Sequence, residues 1–369
     1  MSWQEELRKG IRTAEELAPL LGWSPEETAR RAEVAERFPM MITPYYLSLV
    51  DPRDPQDPIG RMCVPSLDEF DPGGSFDTSG EASNTKLEGL QHKYAQTVLL
   101  LSSNQCAMYC RHCFRKRMVG LTVDELNQRV DEAVDYVKSH EAVTNILITG
   151  GDAFMNPNEI LERYLRELTA IRRLDFIRFG SRVPVTLPER IYGDQEFLDM
   201  FAHYAQKKAL YLVTQFNHPR ELTEEAVKAL RAMIERGVQV RNQTVLLRGV
   251  NDSGEVLGQL LSRLTRVGAV PYYVFQCRPV TGVKERFQVP IEEGICIVDA
   301  AKARQNGFGK SIRYAMSHPR GKIEILCRLP GGETVFKFHQ SKDDADNARP
   351  FLRTLSPTDT WLDEELNGI

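Results

Sequence analysis

The sequence predicts an α/β protein: a partial (β/α)6 barrel with a helical N-terminal extension before it and a C-terminal β-hairpin region after it. Three observations carry this. From Thr97 onward, short apolar runs alternate with amphipathic helical stretches, the pattern of right-handed βαβ units that build a parallel sheet. Six such units can be counted, fewer than the eight that close a barrel. The flanking segments lack the alternation, so the chain divides at 1–95 (extension and connector), 96–310 (barrel) and 311–369 (hairpin and tail).

In the extension, Thr13 stands ahead of Ala14-Glu15-Glu16 and Ser24 ahead of Pro25-Glu26-Glu27. Each supplies a cap and early carboxylates, the second also a first-turn proline, so residues 1–50 read as helical. Phe38 to Tyr46 is an apolar docking segment. Residues 51–95, rich in Asp, Pro, Gly and Ser, are expected to form a long surface connector with little regular structure. The barrel opens with the buried strand Thr97-Val98-Leu99-Leu100-Leu101. Further strands are expected near 145–149, 176–180, 210–216, 239–247 and 272–277, with helices at 122–140, 158–172, 194–206, 223–236, 255–267 and 292–306. Lys322–Leu326 and Thr334–Phe338 flank Pro330-Gly331-Gly332 as a hairpin, and the polar, acidic residues 341–369 read as a loosely packed end.

Composition narrows the function classes. A net charge of −4 gives no footprint for nucleic acid. No run approaches eighteen apolar residues, so no membrane span is expected. The start, Met1-Ser2-Trp3-Gln4-Glu5-Glu6, is too polar for a secretory segment. Seven cysteines, three of them clustered, fit a reducing compartment, and the expected location is cytoplasmic. Cys63, Cys277, Cys296 and Cys327 stand alone and read as small hydrophobes.

The chemistry concentrates in Cys106-Ala107-Met108-Tyr109-Cys110-Arg111-His112-Cys113. Three cysteines at C-x3-C-x2-C present three thiolates from one short loop. Four would close a structural zinc site, whereas three on an iron–sulfur cube leave one iron open. The competing readings are three unrelated core cysteines, a zinc site completed elsewhere, or an iron–sulfur electron carrier. With Phe114-Arg115-Lys116-Arg117 following, the motif resembles the radical S-adenosylmethionine (SAM) enzymes, and among them the lysine 2,3-aminomutase family, which includes glutamate 2,3-aminomutase. The resemblance runs from about residue 35 to 325. It includes Gly150-Gly151-Asp152, the word Gly180-Ser181-Arg182-Val183-Pro184-Val185, Thr214-Gln215-Phe216-Asn217-His218-Pro219, and Asn242-Gln243-Thr244-Val245-Leu246-Leu247-Arg248-Gly249-Val250-Asn251-Asp252.

That resemblance implies a radical SAM partial barrel and a set of roles. Cys106, Cys110 and Cys113 would bind a [4Fe–4S] cluster, and Gly150, Gly151 and Asp152 the methionyl end of SAM. Asn217 and Gln243 would line the cofactor sites. Lys322, in His318-Pro319-Arg320-Gly321-Lys322-Ile323, corresponds to the lysine that holds pyridoxal 5′-phosphate (PLP) as a Schiff base, although the turn before it is shorter here and poorer in glycine. Arg115 would grip the substrate α-carboxylate. The reaction implied moves an α-amino group to the β-carbon with PLP and a 5′-deoxyadenosyl radical, fed by a low-potential donor such as flavodoxin or ferredoxin. It leaves room for a homo-oligomer.

Departures from the family pattern bear on substrate and metal. Two aspartates that hold the far ammonium of lysine are replaced by Arg278 and Ser317, which disfavours lysine and favours an acidic amino acid such as glutamate. Ser253 stands where lysine-type members have a zinc-binding cysteine, and none follows Cys327, so no structural zinc is expected. The basic word before the cluster becomes Gln91-His92-Lys93-Tyr94 with Thr97, which weakens one group near the PLP phosphate. The alternatives within the family are a PLP-independent enzyme and one that modifies a protein-bound lysine.

Overall fold

A computed structural model describes residues 3–121 and 130–369. It contains one twelve-stranded mixed sheet whose spatial order follows the chain, and the sheet does not close. The strands are β1 (Thr85–Leu87), β2 (Leu90–Tyr94), β3 (Thr97–Ser103), β4 (Asn145–Gly150), β5 (Phe176–Gly180), β6 (Ala209–Thr214), β7 (Gln239–Leu246), β8 (Val270–Gln276), β9 (Arg313–His318), β10 (Gly321–Arg328), β11 (Glu333–Ser341) and β12 (Pro350–Thr354). Strands β3 to β9 run parallel. Antiparallel strands extend the sheet at both ends, β1 and β2 before β3, and β10 to β12 after β9.

Six helical crossovers join the seven parallel strands, and the main helices are Val130–Ser139, Asn158–Thr169, Gln195–Ala205, Glu224–Glu235, Gly254–Arg266 and Ile291–Ala303. Residues 122–129 of the first expected helix lie outside the described residues. Each helix presents one apolar stripe to the sheet. Asn158–Thr169 buries Leu161, Tyr164, Leu165 and Leu168, spaced at helical intervals. Each such side chain contributes roughly 1.5–3 kcal/mol. Phe154, Phe179, Phe197 and Phe201 fill the space between β5 and its helices, with ring centroids 4.6 to 5.8 Å apart.

Three regions differ from expectation. Residues 313–318 form a seventh parallel strand, β9, too short and too polar at its ends to stand out as an apolar run. The connector is not structureless: it folds a helix at Pro58–Cys63 and the β1–β2 hairpin, which pairs onto β3. The tail is not loosely packed, because Phe351, Leu355, Trp361, Leu362 and Leu366 are buried in a second core under β10 to β12. These apolar residues are spread singly among acidic ones, so only tertiary contact reveals their common side. The extension meets its sequence signals more closely, with capped helices at Ala14–Leu21 and Pro25–Arg37.

The extension and connector meet the cysteine loop through a buried ion cluster. Glu69 is fully buried and accepts from Arg111 Nη2 at 2.5 Å and from Lys116 Nζ at 2.5 Å. Burial would raise this carboxyl, but Arg111 and Lys116 outweigh it and hold it at about 2. Backbone bonds reinforce the contact: Tyr109 N donates to Met41 O at 2.9 Å and Arg111 N to Met62 O at 2.8 Å. Replacing Glu69 by glutamine strands two buried cations, and a loss of about 3–5 kcal/mol is expected in chemical denaturation near neutral pH. Because the folded pKa lies below the unfolded one, this contribution is complete above the unfolded value near 4.3 and fades as pH falls toward the folded value. The gap between wild type and Glu69→Gln is therefore expected to hold from pH 8 to 5 and to narrow below about 4.5.

Candidate active site

The C-terminal ends of β3 to β9 surround a cavity of about 530 Å³. Among the residues predicted for the site, Cys106, Cys110, Cys113, Arg115, Gly150, Gly151, Asp152, Gln243, Arg278, Ser317 and Lys322 all line it. Asn217 does not. Its side chain is fully buried behind the wall, where Oδ1 accepts from Val245 N at 2.9 Å and Nδ2 lies 3.2 Å from His112 Nε2. A polar residue at a strand end is as readily used to tie neighbouring loops as to reach a ligand.

The cysteine loop leaves β3 and is held on its inner side by β4. Gly151 N donates to Ser103 O, and Asp152 N donates to Gln105 O at 2.8 Å, so the β3–β4 pairing continues past the strand ends. Gly150 takes φ +122°, and a Cβ there would meet Ser103 O at 2.3 Å. A Cβ on Gly151 would meet Gln105 O at 2.4 Å. The two glycines thus let the turn lie flat against the root of the cysteine loop. Asp152 caps the short turn Ala153–Met155 through Phe154 N and also accepts from Arg182 N at 2.6 Å. It is a cap and a cavity wall at once.

The three thiols sit among apolar and charged neighbours. Burial, with Asp152 and the other two thiols, pushes the Cys106 thiol well above its ordinary value. Burial, with Cys110, pushes Cys113 up to about 11. Such thiols ionise only beside a strong positive charge, and metal coordination deprotonates a thiol outright. Among the described residues no three ligands converge on a point that would hold a single ion. An iron–sulfur cube, which spreads its thiolates over separate irons, does not require that. Arg182, in the word after β5, donates to Cys110 Sγ at 2.7 Å and to Glu221 Oε1 at 2.5 Å. It is the polar group nearest a cysteine sulfur that the sequence reading passed over, although the word containing it had been singled out.

At the opposite end the cavity is cationic. Lys322, the second residue of β10, pairs across the ladder with Ser317 of β9, so the two face the same space. Its Nζ lies 4.5 Å from the centre of the Tyr273 ring and has no hydrogen-bond acceptor among the described residues. Burial, then the charges of Arg178 and Arg278, lower Lys322 to about 7. Lys93 is lowered to about 7 by burial and by Arg278, Lys342 and Lys322, and donates to His318 O at 2.6 Å. Arg178 bonds Asn145 Oδ1 at 2.6 Å and leaves its buried Nε without a partner. Arg115 donates from Nη1 to Gly150 O at 3.2 Å, and its buried Nε makes no hydrogen bond. The carboxylate nearest these cations is Glu81, from the connector helix Glu81–Asn84, at 3.7 Å from Arg115 Nε and 2.9 Å from Arg117 Nη2. No sequence signal marked Glu81 among the many acidic residues of that segment.

Three thiols in one loop at the mouth of an open parallel barrel, beside a glycine turn and a cavity for small molecules, define a radical SAM enzyme. The Radical SAM superfamily pattern matches residues 100–260. An L-lysine 2,3-aminomutase from Clostridium subterminale is 38% identical over 309 residues, covering 83% of this chain and 73% of its own. The glutamate 2,3-aminomutase of Clostridioides difficile (strain 630) is 33% identical over 321 residues, covering 86% and 75%. A chain of Aquifex aeolicus (strain VF5), provisionally named an L-lysine 2,3-aminomutase, is 39% identical over 343 residues, covering 92% and 91%. Among solved structures, a radical SAM methyltransferase from Sphaerobacter thermophilus overlaps 61% of this chain and 68% of its own, with a TM-score of 0.42 and 22% identity.

This chain belongs to the radical SAM 2,3-aminomutase family and is an isomerase. Membership implies a [4Fe–4S] cluster, SAM, a small-molecule substrate and a reductant. Among the described residues no helix is long and apolar enough to cross a membrane. The cluster site can be tested through its weakest tolerance. Gly151→Ala is expected to displace the backbone just before Cys106 and to lower the iron content of reconstituted protein to less than about half. Gly307→Ala, where a Cβ meets nothing within 4 Å, is expected to leave iron content unchanged.

Proposed function

We propose that this enzyme is an amino acid 2,3-aminomutase that uses PLP at Lys322 and acts on an acidic amino acid such as glutamate. The observation that carries this reading is the shared cavity: Lys322, with a lowered pKa, and the guanidiniums of Arg115, Arg178 and Arg278 line the same space as the three thiols. The cluster and SAM, when bound, supply a 5′-deoxyadenosyl radical, and PLP supplies electron delocalisation at the amino group.

The chain's own groups then have distinct tasks. Cys106, Cys110 and Cys113 would hold the cluster, and the Gly150-Gly151-Asp152 turn would hold SAM. Lys322, neutral above about pH 7, would hold PLP through its amine. Arg178 would supply positive charge for the phosphate in place of the basic group lost at Thr97, and Lys93, charged only below about pH 7, would add to it there. Arg115 binds the α-carboxylate, and Arg278 with Ser317 takes the far carboxylate. Gln243 lines the wall between these ends. Lysine fits poorly, because two like charges about 4 Å apart repel by about 4 kcal/mol at an effective dielectric of 20. A protein-bound lysine meets the same obstacle. Glu81 supports one second reading, in which its carboxylate receives a substrate ammonium, but its ion pair with Arg117 already engages it.

Two outcomes check the proposal. The fraction of borohydride-trapped PLP adduct is expected to rise with pH around a midpoint near 7, and Lys322→Ala to abolish it. A midpoint close to that of an ordinary lysine, or no PLP bound at all, would remove PLP from the scheme. In a panel of amino acids scored for β-amino products, L-glutamate or L-aspartate is expected to exceed L-lysine, and Arg278→Gln to raise KM for the acidic substrate about 10- to 100-fold. Lysine as the best substrate would refute the role given to Arg278.

A further inference from the structure

Two guanidiniums of like charge lie on one aromatic ring in this cavity. The Arg115 Cζ is 4.5 Å from the centre of the Phe114 ring, and the Arg278 Cζ is 4.1 Å from it. Phe114 and both arginines line the cavity. Arg115 comes from the cysteine loop and Arg278 from the segment after β8, so the ring joins two elements far apart in sequence. Arg278 makes no side-chain hydrogen bond among the described residues. Buried cations repel one another, so this arrangement needs a source of attraction. Glu81 supplies part through its contact with Arg115. The ring adds a further share, since a guanidinium over an aromatic face is attracted by the ring quadrupole, more strongly when desolvated, while Glu81 and Asp77 also favour the Arg278 charge.

The ring also sets a distance. Because each guanidinium carbon lies within 4.5 Å of the same centre, the ring sets an upper bound on how far apart the two forks can stand. The Arg278 fork makes no hydrogen bond among the described residues, and Arg115 engages Nη1 with Thr149 and Gly150 and turns Nε toward Glu81, which leaves its Nη2 for a carboxylate. We infer that Phe114 is a specificity-determining residue: its ring holds Arg115 and Arg278 within that bound and so selects α-amino acids with a second carboxylate a short chain away from the first. This rests on the acidic-substrate reading above and adds to it the element that measures chain length.

Binding of unreactive acids separates the two claims. Calorimetric titration of the reconstituted enzyme with succinate, glutarate, adipate and butyrate reports affinity without turnover. Wild type is expected to bind succinate or glutarate at least about tenfold more tightly than butyrate, and more tightly than adipate. Phe114→Leu and Phe114→Met, which keep bulk but lose the quadrupole, are expected to weaken the favoured diacid about tenfold and to flatten the preference over adipate. Phe114→Tyr, which keeps the π-face, is expected to stay within about twofold of wild type. Iron content and the thermal transition identify any variant that fails to fold, and the remaining variants then carry the test. A folded leucine or methionine variant with undiminished diacid preference overturns the role of Phe114 and leaves the acidic-substrate reading standing. A wild type that binds butyrate as well as any diacid overturns that reading, and the inference with it.

Discussion

The Glu69 carboxylate, sealed between Arg111 and Lys116, is the contact on which the geometry of the cysteine loop depends. That loop has no ladder of its own, so its shape must be imposed from outside. Arg111 lies between Cys110 and Cys113, and Lys116 three residues beyond Cys113, so one acidic side chain from the connector grips the loop on both sides of its last cysteine. Arg111 also donates to the carbonyls of Phe38 and Pro39. A buried carboxylate is costly unless it is fully paired, and this one is. The N-terminal third of the chain therefore holds the cysteine loop from one side. Tyr46 makes the same point at a second place, since its hydroxyl donates to Glu221, the partner of Arg182.

On the other side of the loop the control is steric rather than ionic. The Gly150-Gly151 turn approaches the Ser103–Gln105 backbone so closely that no Cβ fits at either position. The loop is thus pressed between a glycine turn that admits no side chain and an ion cluster that admits no missing charge. Both constraints act through backbone position, which is what three thiols need if they are to meet one cluster without rearrangement.

What was legible in the sequence follows from the range of each interaction. The strand–helix alternation, the capped helices at Thr13 and Ser24 and the three-cysteine word are local patterns, and the structure reproduces them within a few residues. Ser317 and Lys322 could be paired only once β9 was seen to be a strand. Glu69, Glu81 and Glu221 were not legible, because their partners lie tens of residues away and their neighbours in sequence are equally acidic. Asn217 shows the converse. Its word matched the family, but hydrogen bonds to Val245 and Asn251 draw it into the wall between β7 and the loop after β6.

The two ends of the cavity are built by different parts of the chain. The cluster end is built by elements following β3, β4 and β5, namely the thiols, the glycine turn and Arg182. The far end is built by β8, β9 and β10, which bring Arg278, Ser317 and Lys322. Side chains at the far end can be exchanged without touching a residue that holds the cysteine loop, since none of these three contributes to the Glu69 cluster. Phe114 and Arg115 are the exception. They follow Cys113 directly, yet the Phe114 ring carries both Arg115 and Arg278, so the segment that carries the thiols also packs against the far end. The wall next to the thiols and the far wall are thereby joined through one aromatic ring.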